Sequence, residues 1–468
     1  MKDYSTISRT YFIGVGGIGM SAIARYFLSK GVKVSGYDKT PTPLSIQLEK
    51  EGIVIHYEDN IELLDKNADL VVYTPAIPKD HKEFNYYKEN NYEVVKRSDV
   101  LQQITKSTFN ICIAGTHGKT TISTMVAHIL RNSGFECTAF LGGISVNYDT
   151  NFWSGENNVC VIEADEYDKS FLKLSPDIAL ISAMDADHLD IYGTKENMQD
   201  AFVEFANQLG ADKLLLTKFG LPNKNFNSNK HIRYSLQNDN ADVFASGIKM
   251  KEGGYEFDVI TKDWMLDNVK LNMGGMHNVE NMVAAIFIAH YLEIEPKKIR
   301  EAVADFKGVK RRFEYVISLA EAEKSKNNLV FIDDYAHHPE ELSALIKSAK
   351  SLFSDRKCTV IFQPHLFSRT KDFAKEFAES LDMANEVVLL PIYPARELPM
   401  EGVTSEMILQ KMDNKNAKVM SKEKLINYVQ GDYLKSISES WKGQLLITAG
   451  AGNIDQLVQP IKKILLNN

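Results

Sequence analysis

The sequence predicts an α/β protein of three domains built on parallel sheets. Three observations carry this reading. The chain has 468 residues, about three times the ~150-residue size typical of one domain. Short β-rich runs alternate with longer helical patterns, the order that lays parallel strands beside each other under covering helices. Two glycine-rich loops, each after a strand and before a helix, open successive blocks of the chain.

In the first block, YFIGV at 11–15, VKVSGYD at 32–38, IVIHY at 53–57 and LVVYTP at 70–75 read as strands. Between the first two, Ala22, Ile23, Tyr26 and Phe27 recur at helical spacing. The second block has strands FNICIAG (109–115), NVCVIEAD (158–165) and DIALISAM (177–184). It ends on a strand, a turn and a helix start within TKDWMLDNVKLNMGGMHN, read as an edge of the middle domain. The third has NLVFIDDY (328–335), CTVIFQP (358–364), EVVLLPIY (386–393) and QLLITAG (444–450). Domains at 1–107, 108–310 and 311–468 follow.

Composition narrows the function classes. Hydrophobic residues make up 44% and charged residues 25%, ordinary globular usage that excludes a disordered or fibrous chain. The net charge of −8 argues against a sequence-independent grip on nucleic acid. No run approaches 18 apolar residues, and the N-terminal stretch lacks the apolar core of a secretory signal. Cys112, Cys137, Cys160 and Cys358 form no C-x-x-C pair, which fits reduced, buried thiols. A cytoplasmic protein with neither nucleic-acid nor membrane partner is expected.

Gly14-Val15-Gly16-Gly17-Ile18-Gly19 satisfies G-x-G-x-x-G, and Asp38 ends the next strand. Glycines let the backbone approach a diphosphate, the helix start stabilises its charge, and the acid takes a ribose hydroxyl. A nicotinamide or flavin dinucleotide and a UDP-sugar both offer these groups. A purely structural turn is the third alternative.

Ile111 to Thr121 reads strand, loop, helix, with the loop Gly115-Thr116-His117-Gly118-Lys119-Thr120-Thr121. Backbone N–H groups around an anion, a lysine for the β/γ-phosphates and a threonine hydroxyl for Mg²⁺ are the parts of a phosphate loop. The spacing is shorter than G-x-x-x-x-G-K-[ST], since position 113 is Ile. The bland alternative is a glycine turn with an incidental lysine; ATP chemistry fits the residues better.

GTHGKTT resembles the phosphate loop of the Mur ligase superfamily. IGVGGIGMSAIA, EADEYDKSFL, DADHLDIYG, MHNVENMVAA, VKRRFE, DDYAHHP and QPHLFSRT extend the resemblance in the family's order. It implies a Rossmann-like UDP-binding domain, a central phosphate-loop ATPase domain and a C-terminal Rossmann-like domain that closes over the site. The implied reaction is ATP-dependent addition of L-alanine to UDP-N-acetylmuramate through an acyl phosphate, by a monomer or weak homodimer.

The resemblance also implies site residues. Gly115, Thr116, His117, Gly118, Lys119, Thr120 and Thr121 would bind ATP, with Asn278 and Asn281 at the adenine. Arg312, Asp334 and His337 would join them from the third domain. Thr120 and Glu163 would hold one Mg²⁺ and His188 a second. Lys119, Glu163, His188 and Arg312 would form the catalytic set. Gly14, Gly16, Gly17, Gly19, Asp38, Thr74, Ala76 and Arg97 would surround the UDP-sugar, and His365 and Arg369 the amino acid. Phe202 stands where other superfamily members carry a carbamylated lysine, a departure shared with the L-alanine-adding branch. Leu366 stands where many relatives carry Arg.

Each motif has a plainer reading. The acidic runs at 163–166 and 185–190 suit solvated loops, one of Asn278 and Asn281 an N-cap, and Arg312 a surface ion pair with Glu314 or a neighbour. Paired His337 and His338 beside acids suggest zinc, but no further ligand spacing supports it. Three rival functions share the motifs. One is a ligase attaching a tripeptide to the same UDP-sugar. An NAD-dependent oxidoreductase is another, and it leaves the second loop idle. A nucleotide switch is the third, and it leaves the acidic and His motifs idle.

Overall fold

The computed structural model describes residues 4–186, 188–222, 226–324, 328–395, 397–439 and 443–466. The first sheet has five parallel strands: β1 (Arg9–Ile13), β2 (Lys33–Tyr37), β3 (Val54–His56), β4 (Leu70–Tyr73) and β5 (Val94–Lys96), in order β3-β2-β1-β4-β5. Helices α1 (Ile18–Ser29), α2 (Pro43–Lys50), α3 (Lys82–Glu89) and α4 (Arg97–Thr105) connect them. Thr10 to Ile13 are buried without alternation, as expected for a central parallel strand covered on both faces. α1 buries Met20, Ala22, Ile23, Ala24 and Phe27, its core-facing stripe.

The second sheet has ten strands. In chain order its elements are β6 (Phe109–Ala114), α5 (Lys119–Asn132), β7 (Thr138–Ser145), β8 (Thr150–Trp153), β9 (Val159–Glu163) and β10 (Ile178–Ile181). There follow α6 (Leu189–Tyr192), α7 (Lys195–Ala206), β11 (Leu214–Lys218), β12 (Lys230–Ser235), β13 (Val243–Lys251), β14 (Gly254–Thr261), β15 (Met265–Leu271), α8 (Met276–Tyr291) and α9 (Pro296–Asp305). The strand order is β15-β14-β13-β12-β11-β10-β6-β9-β7-β8. β6 thus lies between β10 and β9, parallel to both, and the loops after these three strands open at one sheet edge.

The third sheet has order β16-β17-β21-β18-β19-β20. Its elements are β16 (Glu314–Ile317), α10 (Leu319–Lys324), β17 (Leu329–Asp334), α11 (Pro339–Leu352), β18 (Lys357–Phe362), α12 (Phe367–Asp372), α13 (Ala374–Leu381) and β19 (Glu386–Leu389). Then come α14 (Glu406–Leu409), β20 (Ala417–Val419), α15 (Lys422–Tyr428), α16 (Leu434–Glu439), β21 (Gln444–Ala449) and α17 (Asp455–Leu466). Only β16 pairs antiparallel; β17 to β21 pair parallel.

By internal contacts the chain divides into two compact units. The first comprises 1–245, 259–266 and 280–303, and the second 246–258, 267–279 and 304–468. In the first unit the first sheet packs on the β6 sheet through α1: the guanidinium of Arg25, 5% exposed, donates to Asn151 and to both oxygens of Glu51. All four cysteines are buried and none is in a disulfide. Among the described residues no helix is long and apolar enough to cross a membrane.

The strands stop earlier than the apolar runs suggest. LVVYTP ends as a strand at Tyr73 and DIALISAM at Ile181, because the residues that follow turn away to form loops. Sequence reading also missed the hairpin β7–β8, whose Gly142 and Gly143 interrupt the apolar pattern, and the strands β11 to β14.

Candidate active site

The second glycine loop is built by its neighbours. At Gly115 the backbone takes φ +132°, and an added Cβ would lie against Ser182 Oγ and 2.8 Å from the Ala183 nitrogen, so no side chain fits. Thr116 N–H donates to the Ala183 carbonyl at 3.1 Å, and the Ser182 hydroxyl donates to the His117 carbonyl. Gly118 is the N-cap of α5, in a left-handed conformation with no side-chain cap. A helix start without a capping side chain leaves N–H groups and the positive dipole end for an anion. Asn281 of α8 reaches this turn, its Oδ1 3.1 Å from where a Gly118 Cβ would stand.

Two ion-paired or hydrogen-bonded carboxylates face the loop. Lys119 Nζ donates to the Gly115 carbonyl and to Glu166 Oε1, both at 2.7 Å. The Thr120 hydroxyl donates to Glu163 Oε1 at 3.1 Å, and Gly142 N–H donates to Glu163 Oε2 at 2.9 Å. Burial pushes the Glu163 carboxyl up, while Lys119 and the Thr120 hydrogen bond hold it down. A buried carboxylate with a threonine hydroxyl beside it offers hard oxygen donors, the set Mg²⁺ takes together with phosphate oxygens and water.

A cavity of about 90 Å³ adjoins Glu163. It is also lined by Gly19, Arg97, Leu141, Gly142 and Asp165, so the first sheet and the β6 sheet share it within one compact unit. Arg97 Nη2 donates to Asp165 Oδ2 at 3.1 Å and its guanidinium lies over Gly19. Lys173 pairs with Asp99 alongside.

His188 sits just beyond β10 with φ 48° and its ring edge-on to Tyr167 at 5.2 Å. A non-glycine residue in the left-handed region is held there by its surroundings: its carbonyl accepts the N–H groups of Ile191 and Tyr192. Asp187 and the side chain of Asp190 lie outside the described residues. Among the described residues no three His, Cys, Asp or Glu side chains gather to hold a metal ion. His117, expected in the ATP loop, is exposed, with Asp185 at 3.8 Å.

At the first loop the structure engages Asp38 with the loop itself. Its Oδ2 accepts Gly16 N–H at 2.7 Å and its Oδ1 accepts Lys39 N–H at 2.8 Å. Gly14 N–H and Val15 N–H donate to the Tyr37 carbonyl. Gly17 caps α1, again without a side-chain cap. Thr74 packs on Gly14, and Ala76 is exposed in the following turn.

The second unit carries the remaining candidates. Asp334 spends both oxygens on backbone, accepting Phe313 N–H and Ala336 N–H at 2.7 Å each. It thereby clamps the turn in which Arg311 (φ 62°) and Phe313 (φ 49°) flank Arg312. The alternative of an Arg312–Glu314 ion pair is not what the described residues form. Glu314 accepts the Arg311 backbone N–H, and Arg312 is exposed over the Tyr335 ring at 5.5 Å. Asn278 is buried and donates to the Gly274 carbonyl at 2.7 Å. His337 faces Glu341 at 3.3 Å, and its ring meets that of His365 at 6.0 Å. Burial, His337 and Arg369 lower His365 to about 4, so its ring is neutral and accepts or donates as its neighbours require. Arg369 Nη1 stands 3.5 Å from His365 Nδ1. Leu366, φ 69°, caps α12 beside them.

Sequence reasoning did not single out Gly142, Ser182 or Tyr192. Gly142 had a readable signal, a glycine inside a strand pattern, which marks close approach of another group. Ser182 and Tyr192 had none, since their partners are main-chain carbonyls far along the chain.

A strand-to-helix glycine loop, a lysine at the helix start and a threonine facing a strand-end carboxylate define a phosphate-loop nucleotide-binding protein of the α/β class. Comparison with known proteins narrows it. The family descriptions "Mur ligase family, catalytic domain", "Mur ligase middle domain" and "Mur ligase, glutamate ligase domain" match residues 9–108, 113–289 and 311–452. The UDP-N-acetylmuramate–L-alanine ligase of Flavobacterium johnsoniae is 46% identical over 471 residues, covering 100% of both chains. That of Porphyromonas gingivalis is 46% identical, covering 98% of this chain and 99% of its own. The crystal structure of the UDP-N-acetylmuramate–alanine ligase of Thermotoga maritima superposes with a TM-score of 0.81 at 28% identity, over 97% of this chain and 98% of that one. A murein peptide ligase of Psychrobacter arcticus, at 22% identity and TM-score 0.67 over 98% and 99%, shares the fold. The chain belongs to the Mur ligase family.

Proposed function

We propose that the chain is an ATP-dependent ligase that joins L-alanine to the carboxylate of UDP-N-acetylmuramate in cytoplasmic peptidoglycan precursor synthesis. One observation carries the reading: within one compact unit, the Lys119–Thr120–Glu163 loop opens beside a cavity lined by Gly19 and Arg97 of the first glycine loop's domain. Nucleotide phosphates and a second anionic substrate would meet there. The full-length likeness to relatives named for this reaction supports it.

A free carboxylate does not react with an amine until it has a leaving group. The carboxylate oxygen attacks the γ-phosphorus, the bond to the β-phosphate oxygen breaks, and ADP leaves an acyl phosphate. The amine of L-alanine then attacks the acyl carbon and phosphate departs. Lys119 and the N–H groups at the start of α5 hold the phosphates and take up charge as it shifts. Gly17 and α1 hold the diphosphate of the UDP-sugar, and Arg97 its carboxylate side. Thr120 and Glu163 would hold Mg²⁺, which supplies charge neutralisation on the phosphates. At His188 the described residues do not complete a second ion's site. From the other compact unit we assign Arg312, Asp334 and His337 to ATP, and His365 and Arg369 to L-alanine. Domains of 1–107, 108–310 and 311–468 divide these tasks.

Phosphate release is the test, measured with UDP-N-acetylmuramate and, in turn, L-alanine, glycine, L-serine and a tripeptide. L-Alanine should be preferred; preference for the peptide would replace the substrate assignment. Lys119→Ala should lower kcat by about 10²–10³-fold with UDP-sugar binding nearly intact. Near-normal turnover would remove the ATP assignment.

A further inference from the structure

The acid facing Lys119 is not the one that faces Thr120. Glu166 lies beyond the end of β9, 1% exposed, and Lys119 is 14% exposed. Their 2.7 Å contact is a buried ion pair in which Glu166 Oε1 is engaged, while Oε2 is buried without a hydrogen-bond partner. A buried carboxylate left half-satisfied is a costly arrangement, and it persists where the fold imposes it. Here the fold does so. The Glu166 carbonyl accepts the Tyr192 hydroxyl at 2.6 Å and Lys169 N–H at 3.0 Å, and Asp168 and Lys169 just beyond take φ 52° and 60°. The Glu166 main chain is therefore held in place, and burial confines its side chain beside the lysine.

Lys119 is thus held between a carbonyl and a carboxylate at the mouth of a loop shaped for phosphate. A triphosphate entering the loop meets a lysine already neutralised and, behind it, a fixed negative charge. We propose that Glu166 is an internal stand-in for the phosphates: it holds Lys119 when the loop is empty, must yield the lysine when ATP enters, and recaptures it as ADP leaves. It is a positioning residue that sets nucleotide affinity, lowering it for substrate and product alike. This rests on the ATP reading of the loop.

The size of the effect follows from population arithmetic. If the pair occupies about 70–90% of empty molecules, releasing Lys119 tightens nucleotide binding about three- to tenfold. The experiment is titration of full-length wild type and Glu166→Gln with ATP and with ADP, with Mg²⁺ and without the other substrates. The neutral amide should lower the dissociation constants of both nucleotides by about three- to tenfold and strengthen product inhibition by ADP to match. A merely structural role would weaken binding, so unchanged or weaker binding of both nucleotides overturns the proposal. If Glu166→Gln does not fold, Glu166→Asp decides. It keeps the charge but withdraws it by one methylene, and should tighten both nucleotides at least twofold; no change or weakening refutes the role. Failure of the wild type itself to bind ATP would instead refute the reading of the loop.

Discussion

The two glycine loops share one architecture and use their acids in opposite ways. In the first, the nearby acid Asp38 accepts the loop's own Gly16 N–H, so the carboxylate stiffens the backbone that is to meet a diphosphate. In the second, the backbone is shaped by neutral partners, the Ala183 carbonyl and the Ser182 hydroxyl, and the acids face the side chains of Lys119 and Thr120. A loop that only holds a diphosphate needs a fixed shape. One that transfers a phosphoryl group also needs movable charge, and fixed carboxylates beside a lysine and a hydroxyl provide it.

The largest expected effect tests how rigid that shape is. Gly115→Ala places a Cβ against Ser182 and forces φ +132° on a residue that avoids it, so ATP binding should be lost and stability should fall by about 3 kcal/mol. Gly17→Ala in the first loop meets nothing closer than 3.5 Å at φ −65° and should stay within about 0.5 kcal/mol of wild type. Urea midpoints and ATP titrations check both. Equal losses would mean that the loops are built alike after all.

Asp38→Ala comes next. Removing a charge-assisted acceptor from Gly16 N–H costs about 1.5–3 kcal/mol of loop order, so the KM for the UDP-sugar should rise about tenfold while that for ATP is unchanged. A lower KM would place Asp38 in the role proposed for Glu166 and erase the contrast between the loops.

The strand-loop-helix positions of both loops were legible in the sequence because glycines, a helix-start lysine and flanking apolar runs are local signals. The middle sheet was less so. β7 carries two glycines, and β11 to β14 lie between DADHLDIYG and MHNVENMVAA with no named motif of their own. The acids were legible as types but not as partners. Asp38 reads as a ribose ligand and Asp334 as a nucleotide contact, yet both accept backbone N–H groups that only the tertiary fold brings near. Glu166 sits in the same four-residue run as Glu163, and nothing local separates the one that meets Lys119 from the one that meets Thr120. That choice depends on the bend after β9, where two residues with positive φ redirect the chain.

The smallest effect lies beneath the first loop, where a buried acid has no Lys or Arg partner among the described residues. Glu83 is fully buried against α3's neighbours and accepts the Tyr11 hydroxyl at 2.6 Å and Asn60 N–H at 3.1 Å. Burial raises its carboxyl to about 7. His56, 3.6 Å away, is held below its usual range by burial and offers little compensating charge. Between its ordinary range and about 7, folded Glu83 keeps a proton that the unfolded chain has released. Folding therefore loses stability as pH rises through that window. His56 and His81 slope the other way: folded they resist the protons that the unfolded chain takes up, so they cost stability as pH falls below their usual range. Hydrogen exchange of the β1 amides between pH 5 and 8 separates the two slopes. Glu83→Gln should abolish the loss that runs up to about pH 7 and leave the opposite slope of the histidines below their usual range. Around Lys119 the slope should have the same sign, since burial raises Glu163 and Glu166 as well, although Lys119 holds both down.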